Sequence, residues 1–307
     1  MLSVIFDRGY GALLISDAES YYRVARDPFG DGHLLAGAGP DTGTAYRYGR
    51  ILFPLSAWFL AFGHPALLRI TIPILYIGAI MLVATLAATQ SEEVGRPPIV
   101  GLAVLLVPSA LLTVPILVPE FLVAALILLM YRLAEIHRER AALGAAALVL
   151  LTRETAILAL VPLVLRALQN RDWRGIIRWA TAVIPLLIWY VWLRLRIGVW
   201  PFHDPQHPPS RALDLPVRSF LSNAWSSDAG PVLLFTAVLG WSTILAGAIV
   251  AWRRRTLLAG AGLAMAALIL VFGPNQAKWP GEAVRLMLPA QLLIAVAAIS
   301  PRDSRRK

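Results

Sequence analysis

The chain contains no cysteine, so no disulfide staples its loops and no thiol chemistry is open to it. Charge is also scarce: Asp, Glu, Lys and Arg make up 15% of the 307 residues, against roughly 25% in a soluble domain. With 58% hydrophobic residues and a mean hydropathy of +0.67, that shortage excludes an ordinary soluble enzyme. Acid is scarcer than base, 18 residues against 28, leaving a net charge of +10. A basic excess can serve nucleic acid, but here the basic residues gather at the ends of apolar runs instead of forming a stripe on an amphipathic surface. Nucleic acid is therefore not an expected partner. No phosphate-cradling glycine loop, serine triad or zinc signature is present. His203 and His207 in HDPQH are four apart, but Pro205 and Pro208 prevent the helix that would place both on one metal. No cofactor is expected, and no residue set calls for a divalent metal. No cleavable signal peptide is evident either, because MLSVIFDRGYGALLI carries Asp7 and Arg8 inside what would have to be an apolar stretch.

What the chain does have is apolar runs, many near the roughly 20 residues that cross a hydrocarbon core. They fall at about 50–63, 66–90, 98–117, 119–132, 141–167, 176–199, 231–252, 256–273 and 284–300. The expected fold is all-α: a polytopic helical membrane protein with about eight or nine membrane segments. Proline interrupts several runs, at Pro54, Pro73, Pro108, Pro115 and Pro185, and half-helices or re-entrant turns are expected around 98–120. Arg132, Arg138 and Arg140, then Arg166, Arg171, Arg174 and Arg178, then Arg253 to Arg255, and last Arg302, Arg305, Arg306 and Lys307 mark cytoplasmic joints. On that count the loops 200–230 and 274–284 and the Pro119–Glu120 corner face the other side. The chain then divides into residues 1–49, a multi-pass membrane domain over 50–300 with the outer loop 200–230, and a basic cytoplasmic tail 301–307. Charge alone does not fix the side of 1–49.

Within 1–49, Ser16-Asp17-Ala18-Glu19 fits a capping box, starting a helix that runs to about Arg26 and ends at Asp27-Pro28. Such a helix suits a membrane surface. Asp17, not needed for the cap, is a candidate general base, since desolvation near an apolar boundary raises a carboxylate towards a useful range. Arg47 and Arg50, in YRYGR ahead of ILFPLSAWFL, suit either a phosphate or interfacial anchoring. Arg153 and Glu154 interrupt the run AALVLLTRETAILALVPLVL, where charge is costly. They must face a polar cavity, pair with other charges, or sit in a turn between two short helices, and the basic joints on both sides favour the turn. Glu120 after Pro119, and Glu282 with Arg285, open later runs, where carboxylates suit the helix dipole. On the proposed orientation Glu120, Arg153, Glu154, Glu282 and Arg285 lie towards one side and would build one polar site.

The succession DAESYYRVARDPF, YRYGRILFPLSAWFLAFG, a Glu after a proline-broken span, LLTRETAILAL and EAVRLMLPAQLL resembles the multi-pass glycosyltransferases of the C superfamily, the bacterial members above all. The resemblance implies a helical membrane enzyme of the bacterial cytoplasmic membrane. Such an enzyme transfers a sugar from a polyprenyl-phosphate carrier to a glycan or lipid acceptor on the outer face, with membrane lipid around it. It implies Asp17 as the base, with Glu19 as second choice, and donor contacts from Arg47, Arg50 and Arg285, joined by Glu120, Arg153 and Glu154 as substrate-binding residues. It also implies that 1–49 is an extracytoplasmic loop with an interfacial helix, and that a first membrane helix expected in front of it is missing.

Overall fold

The structure, a computed structural model, describes residues 17–30, 47–114, 116–198, 200–201, 230–270 and 280–300. Among these residues every element is helical and none is a strand. Helix α1 (Asp17–Arg26) stops at Asp27-Pro28 as its sequence predicts. Ser16, the expected cap, lies outside the described residues, as do the side chain of Asp17 and both His203 and His207. Instead of lying free at a surface, α1 buries Ala18, Tyr21, Val24 and Ala25 against α2 (Leu52–Leu60) and α3 (Leu68–Glu93). Helix α2 has nine residues, about 13 Å of rise, and cannot by itself cross a core about 30 Å thick.

Proline then sets the chain's punctuation. Pro98 opens α4 (Pro98–Leu102) and Pro108 opens α5 (Pro108–Thr113), with a 3-10 turn at Ala103–Leu106 between them. Proline is tolerated in a first turn but breaks a helix interior, so the run over 98–117 becomes three short pieces. Pro119 precedes α6 (Glu120–Glu135), and α7 (Glu139–Thr152) returns beside it. The expected single segment over 141–167 is two helices. Arg153, extended at φ −160° and ψ 117°, separates α7 from a 3-10 turn (Glu154–Leu160) that leads into α8 (Val161–Gln169). The run over 176–199 is likewise divided, into α9 (Trp173–Thr181) and α10 (Ile184–Ile197). Asp172 caps α9 by accepting the Gly175 amide at 2.9 Å, and Gly198 closes α10 with a left-handed φ of 81°. Helices α11 (Gly230–Arg254), α12 (Leu257–Leu270) and α13 (Pro280–Ile299) complete the bundle.

The core lies around α6 and α13. Helix α6 packs on α3, α7 and α13, and α13 also packs on α5, α11 and α12. Alanine is frequent at the contacts, with Ala57, Ala87, Ala124, Ala146, Ala159, Ala259 and Ala266 all fully buried. Small residues let helix backbones approach closely where hydrocarbon on the outside removes the usual hydrophobic drive. At Gly101 of α4 an added Cβ would fall on the carbonyl of Ala87 in α3, so that crossing requires glycine.

The outside carries the opposite signal. Ile70, Ile74, Ile77 and Met81 line an exposed stripe on α3, and Leu234, Val238, Trp241, Leu245, Ile249 and Trp252 line another on α11. Leu187, Ile188, Val191 and Leu195 do the same on α10. In water such stripes would drive association; in a bilayer they are the face that meets lipid. Among the described residues three helical stretches, Pro65–Glu93, Trp173–Arg196 and Leu234–Arg254, are long and apolar enough to cross a membrane. These are the marks of a helical membrane protein.

The bundle has two distinct ends. At one, Arg132 pairs with Glu93 and Glu135, and Arg178 pairs with Glu139, close to the α6–α7 and α8–α9 turns. This is the basic end. The other end begins where α6 begins: Glu120 stands 15 residues from Glu135, the two ends of a 16-residue helix, or about 22 Å along the axis.

Candidate functional site: a buried arginine and glutamate network

Five of the charged residues singled out in the sequence meet at the second end. Arg153 Nη1 lies 2.6 Å from Glu120 Oε1, and Arg285 Nε lies 3.3 Å from the same oxygen. Arg50 grips Glu154 with two donors, Nη2 to Oε1 at 2.8 Å and Nε to Oε2 at 3.1 Å. Arg50, Arg153, Arg285 and Glu120 are buried, whereas the Glu154 side chain keeps 31% of its surface exposed. Glu120 Oε2 has no hydrogen-bond partner among the described residues.

Local structure explains how residues far apart in sequence arrive together. Because Arg153 is extended, consecutive side chains leave the chain in opposite directions. Arg153 thus reaches Glu120 on α6 while Glu154 reaches Arg50 ahead of α2. Thr152, just before the break, returns its hydroxyl to the Leu148 carbonyl at 2.8 Å and closes the end of α7. Glu120 occupies the first turn of α6, where the amide dipoles favour a carboxylate. Arg285 comes from an early turn of α13.

Arg50 is placed by the short turn 47–50. The Arg50 amide donates to the Arg47 carbonyl at 3.3 Å. The Tyr48 hydroxyl donates to the Asp27 carbonyl at 2.7 Å, and Trp189 Nε1 donates to the Tyr48 carbonyl at 2.8 Å. Val24, Tyr48, Ile51 and Leu193 pack beneath this turn, so α1, the turn and α10 are fastened to one another. Burial, with Asp27 nearby, pushes the Tyr48 phenol above its ordinary range, which keeps it a donor. Arg47 is half-buried beside the same turn.

Two predicted residues stand apart from the network as described. Glu19 is exposed on α1 and bonds Arg23 four residues on, at 2.5 Å. Its carboxylate is engaged along its own helix and not with the buried arginines. Glu282 lies in the first turn of α13, but its side chain is outside the described residues, so the expected convergence is visible for Glu120, Arg153, Glu154 and Arg285, with Arg50 in addition. Among the described residues no three His, Asp or Glu side chains converge as a metal-ligand set.

A second polar thread lies deeper, and the sequence pattern did not anticipate it. Gln291 of α13 accepts the Ser109 amide of α5 at 3.1 Å and donates to Thr243 of α11 at 2.8 Å; Thr243 in turn donates to the Leu239 carbonyl at 2.7 Å. A lone amide in the run MLPAQLLIAVA was the available signal, since a polar group inside a membrane segment needs a partner. Tyr76 of α3 adds a cross-tie by donating to the Thr113 carbonyl at 2.9 Å while its ring meets Phe121 edge-on.

Chemically, the network offers guanidinium groups held in fixed positions about 22 Å from the basic end, next to a carboxylate with one oxygen unsatisfied among the described residues. Fixed guanidinium groups suit phosphate oxygens, and they equally suit a structural lock. Compared with known proteins, the chain matches no family model, no curated protein and no solved structure.

Proposed function

We propose that this chain is a membrane glycosyltransferase of the C type, moving a sugar from a polyprenyl-phosphate carrier to a glycan or lipid acceptor of the cell envelope. The observation that carries the reading is the gathering of Arg50, Arg153 and Arg285 with Glu120 and Glu154 at one end of the bundle, with α1 docked on α2 immediately after Arg50. In this proposal the acceptor hydroxyl oxygen attacks the anomeric carbon, the bond from that carbon to the carrier phosphate breaks, and Asp17 takes the hydroxyl proton. The leaving phosphate gathers negative charge, which Arg47, Arg50 and Arg285 offset. The chain would cross a bacterial cytoplasmic membrane in about eight or nine segments, with the network end outside.

The competing reading is a catalytically silent assembly protein or a transporter. The pairing of Glu120 with two guanidinium groups favours it, since such contacts hold helices together without any substrate. One experiment separates the two. Membranes containing Asp17→Asn at wild-type abundance are assayed for transfer from polyprenyl-phosphate sugars; the enzyme reading expects activity to vanish, and undiminished transfer removes Asp17 as the base. Substrate uptake into proteoliposomes that depends on Arg153 and Glu154, without transfer, would establish the transporter.

A further inference from the structure

The basic end holds a feature that the network end does not use. A groove of about 360 Å³ opens between α8 and the α11–α12 joint, with Arg166, Trp252, Arg255, Leu165, Leu257 and Pro162 among its walls. That volume is within the range of small-ligand sites. One of its two guanidinium groups comes from α8 and the other from the α11–α12 joint, and among the described residues neither forms an ion pair. Their neighbours behave otherwise: Arg178 is neutralised by Glu139 and Arg132 by Glu93, and Arg254 turns to the Ser300 carbonyl at 3.5 Å.

Arg255 shares a left-handed backbone with Phe62, His137 and Arg171. It adopts a left-handed φ of 56°, a position glycine fills without strain, as Gly198 does at the end of α10. The side chain kept there extends over the Trp252 indole, 5.9 Å from the ring centre. Trp252 is 77% exposed and ends the lipid-facing stripe of α11. Tryptophan in that position marks the level where acyl chains give way to headgroups. Leu165 and Leu257 continue the wall on the apolar side, and Gln169 supplies a neutral amide on the polar side.

We propose that this groove binds one acidic phospholipid, with its phosphodiester between Arg166 and Arg255 and its acyl chains over Leu165 and Leu257. Two forked cations, one from α8 and one from the α11–α12 joint, suit a phosphodiester oxygen pair, and basic pockets between helices at a membrane surface recognise anionic headgroups. A free phosphate would use the same cations, but it gives no reason for an exposed tryptophan and two leucines beside them.

The test uses the full chain purified in detergent and native mass spectrometry with equal amounts of dioleoyl-phosphatidylglycerol and dioleoyl-phosphatidylcholine. One phosphatidylglycerol is expected to stay on each chain in preference to phosphatidylcholine. Arg166→Gln with Arg255→Gln should weaken its retention at least tenfold, and Trp252→Ala several-fold, while Arg138→Gln with Arg174→Gln, exposed at the same end, leaves it unchanged. Equal loss in the two arginine pairs would reduce the effect to diffuse surface charge and overturn the site. Unchanged retention in both the groove pair and Trp252→Ala would also overturn it. Displacement of the lipid by millimolar glycerol 3-phosphate would show a soluble phosphate site and overturn the lipid assignment.

Discussion

The two ends of the bundle hold charge under opposite rules. At the network end Arg50, Arg153, Arg285 and Glu120 are buried, and Glu120 and Glu154 are each met by at least one guanidinium. At the basic end the pairs Arg132–Glu93 and Arg178–Glu139 are partly open to solvent, and Arg166 and Arg255 have no ion-pair partner among the described residues. Removing a buried partner strands a charge in a medium that cannot hydrate it, whereas removing an exposed one leaves water to replace it. The first end is thereby fixed internally, and the second is available to anions from outside.

If the two ends face different compartments, the sharpest test is all-or-none. The chain lacks native cysteine, so Glu19→Cys and Arg171→Cys each introduce one thiol at an exposed position. In intact cells an impermeant maleimide should label the first and spare the second, and labelling of both would break the assignment of sides.

The next largest effect is expected at Glu120. Glu120→Ala leaves Arg153 and Arg285 buried without their shared carboxylate and should cost about 3–5 kcal/mol, read as a large fall in the thermal midpoint by tryptophan fluorescence. Combining Glu120→Leu with Arg153→Met should recover part of that loss, because it removes one of the two guanidinium groups that shared the carboxylate. Failure to recover would mean that Arg285 alone demands the carboxylate.

A smaller effect concerns the crossing of α4 on α3. Gly101→Val forces α4 off α3 at the Ala87 carbonyl and should cost roughly 1–3 kcal/mol. Smallest of all, Arg132→Gln at the basic end should change stability by less than about 1 kcal/mol, since its carboxylate partner Glu93 is partly exposed. A loss there as large as that of Glu120→Ala would erase the distinction between the ends.

Part of the site is legible in the residue pattern alone. Arg153 and Glu154 stand out because charge inside an apolar run must be compensated, and the basic residues on both sides of that run favour a turn there. The prolines announce where α4, α5 and α6 begin. Other parts are beyond the reach of any local pattern. Arg50 and Glu154 are 104 residues apart, and nothing around either residue says which carboxylate meets which guanidinium. Gln291 is visible as an isolated amide, but its two partners, the Ser109 amide and the Thr243 hydroxyl, come from separate helices.

Sequence alone determined the chemical class of this protein: too little charge and too many long apolar runs for water, and a helical fold, which every described element shares. Tertiary structure decided which side of each helix faces inward. Helices such as α3 and α11 are apolar around their whole circumference, and lipid is as apolar as a protein core, so hydropathy offers no contrast between the buried Ile72, Tyr76 and Val83 and the outward Ile70, Ile74 and Met81. The choice is made by shape, by alanine and glycine where backbones touch, and by the few polar groups that must find each other away from water.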